Sequence, residues 1–204
     1  MSDLCNYLEG KLVDHVLRNT AYTPPSTVYV ALLSADPGES GSTVNEISGA
    51  SYARQSAAFD APSGGVSQNT YDIEFPQAQE DWDEVTHILL MDAASGGNPL
   101  FHQILKSPIE DEGFTSDHDV SVALDHENII EDSEVVTSSD GNTTYYKGRD
   151  YTMDYTNGTI TVLSTGLMAD ATSYLIDYEY ANPKTITTND IFKIPVGSLQ
   201  VSFD

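Results

Sequence analysis

The fold class is decided by the stretch Thr27-Val28-Tyr29-Val30-Ala31-Leu32-Leu33. Its odd and even positions are both apolar, so a strand formed here has two faces to bury and should be central in its sheet. Residues 71–75 and 199–203 instead alternate apolar and polar side chains, which is typical of strands with one face in solvent. Residues 85–91 are again largely apolar. These patterns predict a mostly β protein.

One amphipathic helix is expected near the start of the chain, over residues 2–19. Its apolar residues recur every four positions and form a single stripe: Leu4, Leu8, Leu12 and Val16. Ser2 is a suitable N-cap, Asp3 favours the positive end of the helix dipole, and Arg18 lies near the negative end. Pro24 and Pro25 prevent continuation.

The charge balance is strongly acidic, with 32 acidic and 8 basic residues and a formal net charge of −24. Such a charge destabilises the compact state by self-repulsion unless salt screens it, and in about 1 M salt the Debye length falls to about 3 Å. We therefore expect a halophilic source; an ordinary acidic surface protein is the alternative. Nucleic acid is an unsuitable partner, because no basic stripe exists to neutralise phosphates.

The compartment is constrained by three absences in the sequence. Cys5 is the only cysteine, so no intrachain disulfide can form. No run approaches the roughly 20 apolar residues needed to span a bilayer, so no membrane insertion is expected. The opening residues lack the basic region of a secretory signal, which favours synthesis in the cytoplasm.

A second domain is predicted from a change in composition near Ser107. Residues 109–119 hold five acidic residues and no base, and this stretch reads as a solvated linker. Period-two runs follow, and Asp140-Gly141 and Asn157-Gly158 are signals for two-residue type I′ hairpins. The runs are Tyr151-Met153-Tyr155, Ile160-Val162 and Tyr174-Ile176-Tyr178-Tyr180.

The predicted organisation is therefore a discontinuous outer domain with an insertion. Residues 1–106 and 185–204 form a β-sandwich or jelly-roll-like domain with one N-terminal helix. Residues 107–184 form a small inserted β-sandwich of immunoglobulin-like type, with 16 acidic and 3 basic residues and hence a charge of −13. Insertion at a loop tip is well tolerated, because closure entropy grows slowly with loop length.

The outer domain resembles a family of virion structural proteins of tailed phages and haloarchaeal tailed viruses, often labelled phage tail-fibre or structural protein. The resemblance covers residues 1–105 and 185–204. The stretches that carry it are Asn6-Tyr7-Leu8-Glu9, Asp14-His15-Val16-Leu17-Arg18-Asn19-Thr20, Thr27-Val28-Tyr29-Val30-Ala31-Leu32, Ser51-Tyr52-Ala53-Arg54-Gln55, Phe75-Pro76, Asp81-Trp82, Thr86-His87-Ile88, Asp92-Ala93-Ala94-Ser95-Gly96-Gly97-Asn98 and Pro195-Val196-Gly197-Ser198-Leu199.

The insertion resembles a second module found in virus structural proteins. The matching stretches are His126-Glu127-Asn128-Ile129-Ile130, Tyr151-Thr152-Met153-Asp154-Tyr155, Asn157-Gly158-Thr159-Ile160 and Asp177-Tyr178. The two resemblances together imply that the outer domain anchors the protein to the particle while the insertion projects from it.

No enzyme motif is present: the sequence lacks a Gly-x-Ser-x-Gly elbow, a P-loop and His-Glu-x-x-His. We expect no catalytic, cofactor-binding or metal-ligating residues. His87, on an apolar strand face with Val85, Leu89 and Met91, and His102 read as hydrogen-bonded core residues. The remaining histidines are dispersed: His15, His118 and His126.

Two acidic clusters offer oxygen ligands for a structural Ca²⁺ or Mg²⁺, although a solvated acidic face explains them equally well. They are Glu110-Asp111-Glu112 and Asp117-His118-Asp119. Asn142 and Asn157 match the glycosylation acceptor pattern, but Asn157 also suits a hairpin turn. The tyrosines of the insertion can anchor sugars, yet their strand spacing favours core and cross-strand pairs. Trp82 is expected in the core or at a subunit interface.

The leading hypothesis is a non-enzymatic virion protein that assembles as a symmetric homo-oligomer with other capsid or tail proteins. Two placements fit: a capsid turret or decoration, which we favour slightly, and a tail-fibre-type component. The rival class is a host-attachment module in which the insertion recognises a surface glycan or protein. An enzyme acting on a host surface polymer is the third class.

Overall fold

The computed structural model describes residues 3–202 and confirms a mostly β fold with one α-helix. In chain order its elements are β1 (Asp3–Leu4), α1 (Asn6–Leu17), β2 (Val28–Leu33), β3 (Gln55–Ala57), β4 (Val66–Gln68), β5 (Ile73–Glu74), β6 (His87–Met91), β7 (Pro99–Ile104), β8 (Lys106–Thr115), β9 (Ser121–Ala123), β10 (Val135–Ser138), β11 (Thr144–Tyr145), β12 (Tyr151–Asp154), β13 (Thr159–Val162), β14 (Ser173–Ala181), β15 (Lys193–Ile194) and β16 (Gln200–Ser202).

The chain divides into two compact units. Unit 1 comprises Met1–Leu105 with Pro183–Asp204, and unit 2 comprises Lys106–Asn182. Every helix among the described residues is too short or too polar to cross a membrane.

Unit 1 is built on a five-stranded antiparallel sheet in the order β1-β7-β6-β2-β3. The last four residues of β2 are buried, as expected for a strand that is apolar on both faces and has a neighbour on each side. Two small two-stranded sheets, β5 with β15 and β4 with β16, bring the C-terminal part of the chain back onto the first part. The half-exposed pattern of β5 is confirmed, with Ile73 buried and Glu74 exposed.

An aromatic cluster organises the main core of unit 1. The Tyr52 ring meets the Trp82 ring edge-on at 5.5 Å and stacks on Phe75 at 6.2 Å. Nearby, Arg54 donates to both carboxylate oxygens of Glu46 at 2.7 Å, which fixes the loops that carry the two residues.

Helix α1 differs from the predicted helix at both ends. It begins at Asn6, with Cys5 as an N-cap that makes no side-chain cap bond, because Asp3 and Leu4 pair with β7 instead. The proposed N-cap, Ser2, lies outside the described residues. The helix ends at Leu17, well before the prolines, because Asn19 takes a left-handed conformation with φ +53°.

The prediction that His87 shares one strand face with Val85, Leu89 and Met91 is wrong for Val85. Val85 belongs to the main core cluster, whereas Leu89 and Met91 belong to a second, smaller cluster. The alternation breaks because Val85 precedes β6 and forms an isolated bridge to Lys184.

Unit 2 contains seven strands in two antiparallel sheets, ordered β11-β10-β14-β8 and β12-β13-β9. A single core cluster takes side chains from both sheets, including Phe114, Val136 and Ile176 from the first and Ile160 and Val162 from the second. This is the arrangement of a small β-sandwich.

The predicted linker at residues 109–119 is wrong, since most of it lies in the ten-residue strand β8. The acidic side chains misled the prediction: Phe114 is buried and Ile109 packs against the core, while Glu110 and Asp111 stay in solvent on the edge of the sheet. Charged residues on an exposed edge strand oppose edge-to-edge aggregation.

Both predicted hairpins exist, but neither has a two-residue type I′ turn. The paired residues Asp154 and Thr159 leave four residues in one loop, and Ser138 and Thr143 bound a four-residue loop in the other. Only the glycine of each pair has positive φ, +71° at Gly141 and +58° at Gly158.

Candidate functional surfaces

Helix α1 has two apolar faces. On one face Leu8 is buried in the core of unit 1, and Tyr7 and Leu12 pack against that core. On the other, Val16 and Leu17 are about three-quarters exposed, so Val16 does not join the buried stripe predicted for it. The helix is therefore attached to the unit on one side and leaves apolar surface on the other.

An apolar cavity of about 450 Å³ opens between the main sheet of unit 1 and the β4–β16 layer. Val28, Leu90 and Phe101 contribute from the sheet, while Phe59 and Val201 contribute from the other side. The residues that form it are nearly all apolar, so the cavity offers no set of polar groups for a reaction.

Two histidines lie close to Asp36 on the other face of that sheet. His102 Nδ1 is 3.7 Å and His87 Nε2 is 4.0 Å from Asp36 Oδ1. His87 Nδ1 also lies 2.8 Å from Thr86 Oγ1, and burial is the main cause that lowers the pKa of His87. His102 is 8% exposed and so lies in the core as expected, but within residues 3–202 its buried Nε2 has no hydrogen-bond partner, which differs from the predicted hydrogen-bonded histidine. Sequence reasoning missed Asp36, because a turn residue gives no signal of which strand face it reaches.

Unit 2 carries a polar cluster around the loop before β12. Lys147 Nζ donates to Asp132 and to Tyr155 Oη, the latter at 2.7 Å. Tyr155 Oη also lies 3.1 Å from both carboxylate oxygens of Glu134. These side-chain contacts join three loops: the loop before β10, the loop before β12 and the turn after β12.

Asp150 is fully buried and organises the same loop. Its carboxylate accepts hydrogen bonds from the backbone N–H groups of Tyr146 at 2.9 Å and Leu167 at 3.0 Å, and Arg149 Nη2 donates at 2.6 Å. The Arg149 guanidinium, followed by the backbone donors, lowers the pKa of Asp150 to about 2. Asp150 thus acts as a structural anchor, a role that an isolated acid in the sequence does not reveal.

The two acidic clusters do not converge on one point. In the first, Glu112 accepts from Tyr178 Oη at 2.5 Å and from the backbone N–H of Asp125. In the second, Asp119 accepts from the backbone N–H of Ser164, while His118 Nε2 contacts the Met168 carbonyl at 2.9 Å. Within residues 3–202 no group of three or more His, Cys, Asp and Glu side chains is arranged to hold a metal ion.

Most of the tyrosines singled out in unit 2 lie in its core or pack against it: Tyr145, Tyr151, Tyr155, Tyr174, Tyr178 and Tyr180. Tyr146 is the exception, with 59% of the residue exposed and the Arg149 guanidinium 4.8 Å from its ring. In unit 1, Trp82 is buried in the core. Asn157 donates to Asp154 at 2.7 Å and supports the hairpin turn.

The fold and these surfaces define a class: a β protein of two units, with exposed apolar side chains on its helix and an acidic second unit. Residues 3–113, more than half of the chain, match the model of the family described as podophage GP4 fiber I protein gp80. The chain belongs to this family of tailed-phage structural proteins. The match covers β1 to β7 with α1 and ends within β8, so most of unit 2 lies outside it.

A second similarity is to the tail sheath protein of Burkholderia phage BcepMu. The two sequences are 41% identical over 58 residues, which make up 28% of this chain and 12% of the sheath protein. The chain therefore corresponds to a small part of that relative's length. Both similarities are to structural proteins of tailed phages.

Proposed function

We propose that the protein is a fibre-type component displayed on the outside of a tailed virus particle, where it forms a symmetric homo-oligomer. The observation that carries this is the family match over residues 3–113, because it falls almost entirely on unit 1. With a fibre and a tail sheath among the similarities, a tail position has more support than a capsid turret. The role is structural, without catalysis.

The two units have different proposed roles. Unit 1 anchors the protein to other virion proteins, since it carries the family match, the exposed helix face and the apolar cavity. Unit 2 faces solvent, since residues 106–182 hold 16 acidic and 3 basic residues, a charge of −13 that favours hydration.

A second candidate function is host attachment through unit 2. The exposed Tyr146 ring, with the Arg149 guanidinium 4.8 Å from it, offers an aromatic face at the surface of unit 2. Such a surface suits stacking against a glycan or contact with a host surface protein. Binding of the full chain to host envelope that is lost in Tyr146→Ala would support this function, and unchanged binding would exclude this surface.

The main proposal is tested on purified particles from a virus that carries the gene with an epitope tag after residue 204. Immunogold labelling should place the protein at the tail of the particle, and particles made without the gene should lose the corresponding density. A protein that is abundant in infected cells but missing from purified particles would contradict the proposal.

A further inference from the structure

The exposed face of α1 is a compact apolar patch. Val13, Val16 and Leu17 occupy positions i, i+3 and i+4 of the helix and so point to the same side. Their exposed fractions are 54%, 74% and 76%. The other exposed large apolar side chains of residues 3–202 are dispersed along the chain: Val44, Val66, Tyr71, Val120, Val135, Tyr146, Leu167, Ile191 and Val196. Isolated exposed apolar residues are common, whereas a cluster on one helix face marks a contact surface.

The patch lies in a segment of the chain that carries no net charge, whereas the protein as a whole is very acidic. Residues 4–35 contain two acids, Glu9 and Asp14, and two bases, Lys11 and Arg18, so their net charge is zero. The rest of the chain contains 30 acids and 6 bases and therefore carries the whole charge of −24. Two copies that meet elsewhere bring like charges together, but two copies that meet at α1 do not.

We propose that this patch is a homotypic contact, in which α1 packs against α1 of a second copy about a rotation axis. This inference rests on the proposed function, because it identifies the interface of the homo-oligomer. A basic partner would be attracted to the acidic surfaces, whereas copies of this chain repel one another there, so charge favours the neutral segment for contact between copies. Apolar contact between the patches then supplies the attraction.

The charged residues beside the patch suit a symmetric contact. Arg18 Nη1 lies 3.0 Å from Asp14 Oδ1 within the helix, and both side chains are substantially exposed. In a symmetric pair of helices Arg18 of one copy can reach Asp14 of the other, so both ions keep an opposite charge as water leaves the interface.

The patch is small compared with a stable interface, which buries about 800 Å² on each partner. Three side chains therefore give a weak contact between free copies. On a particle the copies are held close together, and the resulting effective concentration makes a weak contact sufficient.

The contact is tested by disulfide trapping of the full-length protein. Val16→Cys places a thiol in the patch, and Cys5 is buried and does not compete. Val44→Cys is the matched control, since Val44 is an equally apolar and 82% exposed residue elsewhere in unit 1. Under mild oxidation in molar salt, Val16→Cys should form covalent dimers about tenfold faster than the control, as expected for a locally raised concentration. Equal rates would overturn the proposal.

A second-site variant separates a specific contact from random collision. Adding Leu17→Asp to Val16→Cys should reduce the dimerisation rate to that of the control, while circular dichroism shows an unchanged fold because Leu17 is exposed. A rate unaffected by Leu17→Asp would also overturn the homotypic contact. Immunogold labelling distinguishes failure of this interface from failure of the proposed function. Labelled tails with equal trapping rates reject only the interface, whereas unlabelled particles reject the proposed function.

Discussion

Lys106 and Ala181 are direct partners across the antiparallel strands β8 and β14, although 75 positions separate them in the chain. Residues facing each other in such a pair have Cα atoms about 5 Å apart. The two chain ends of unit 2 therefore lie side by side. The loop of unit 1 that carries the insertion therefore has to span only the distance between two neighbouring strands.

The first prediction follows from that pairing. Replacing residues 106–182 with a short glycine-serine linker should leave unit 1 folded, because the linker has only a strand spacing to cover. The shortened protein should retain a cooperative thermal transition and the near-ultraviolet signal of buried Trp82. Loss of both would show that unit 1 depends on unit 2 for its stability.

The second prediction concerns the two hairpin glycines of unit 2. A Cβ atom at Gly158 would lie 1.9 Å from the His126 carbonyl oxygen, in a backbone with φ +58°. Gly158→Ala should therefore destabilise unit 2 by roughly 2–4 kcal/mol through overpacking and backbone strain. Gly141→Ala is the control: its φ is +71° but no atom lies within 4 Å, so it should cost only about 1 kcal/mol. Urea unfolding measures both, and equal losses would contradict the predicted clash.

The third prediction concerns Asp150. Asp150→Asn replaces a carboxylate oxygen with a donor that opposes backbone N–H groups, and should cost about 2–3 kcal/mol. Asp132→Asn, at an exposed pair with Lys147, should cost far less, because solvent screens that pair. A pKa near 2 in the folded state lies below the unfolded value of about 3.9. Stability from Asp150 is therefore present at neutral pH and is lost as pH falls from about 5 towards 2. Urea unfolding at several pH values should show a smaller acid loss in Asp150→Asn than in wild type.

The fourth prediction is a pH dependence in unit 1. Burial is the main cause that lowers the pKa of His87, and His102 lowers it further, while Asp36 opposes the shift. The unfolded chain therefore binds more protons just below pH 6.5, so stability is lost as pH falls from the unfolded pKa towards the lower folded one. His87→Gln should flatten the change in melting temperature between neutral and mildly acidic buffer. An unchanged slope in this variant would assign the acid sensitivity to other groups.

The fifth prediction is salt dependence. With a net charge of −24, thermal stability should rise from low to molar salt as self-repulsion is screened. Equal melting temperatures in the two conditions would reject adaptation to high salt and favour an ordinary acidic surface protein.

The patterns that sequence analysis interpreted correctly were those set by side-chain alternation. Burial of both faces of β2 and the period-two run in β14 follow from local hydrophobicity, so their strands were predicted within a few residues. β8 was not predicted because Glu110 and Asp111 interrupt the alternation of apolar and polar residues around Ile109. The strand is stabilised by its pairing with β14, which is distant in the sequence. Asp150 escaped notice because its donors come from residues 4 and 17 positions away.

The bounds of α1 also depend on tertiary contacts that the local sequence pattern does not contain. A four-residue period continues to Val16, and nothing in that spacing tells which side the core occupies. The left-handed turn at Asn19 and the pairing of Asp3 with His102 set the position of the helix, and both depend on tertiary context.

The pairing of β8 with β14 also has a mechanical consequence. A pull along the main chain reaches unit 2 only through unit 1, because residues of unit 1 precede and follow it in the chain. While unit 1 stays folded, Lys106 and Ala181 are held side by side and the hydrogen bonds of unit 2 carry no load. Under tension unit 1 should therefore open first, and until then it protects unit 2 from the pull.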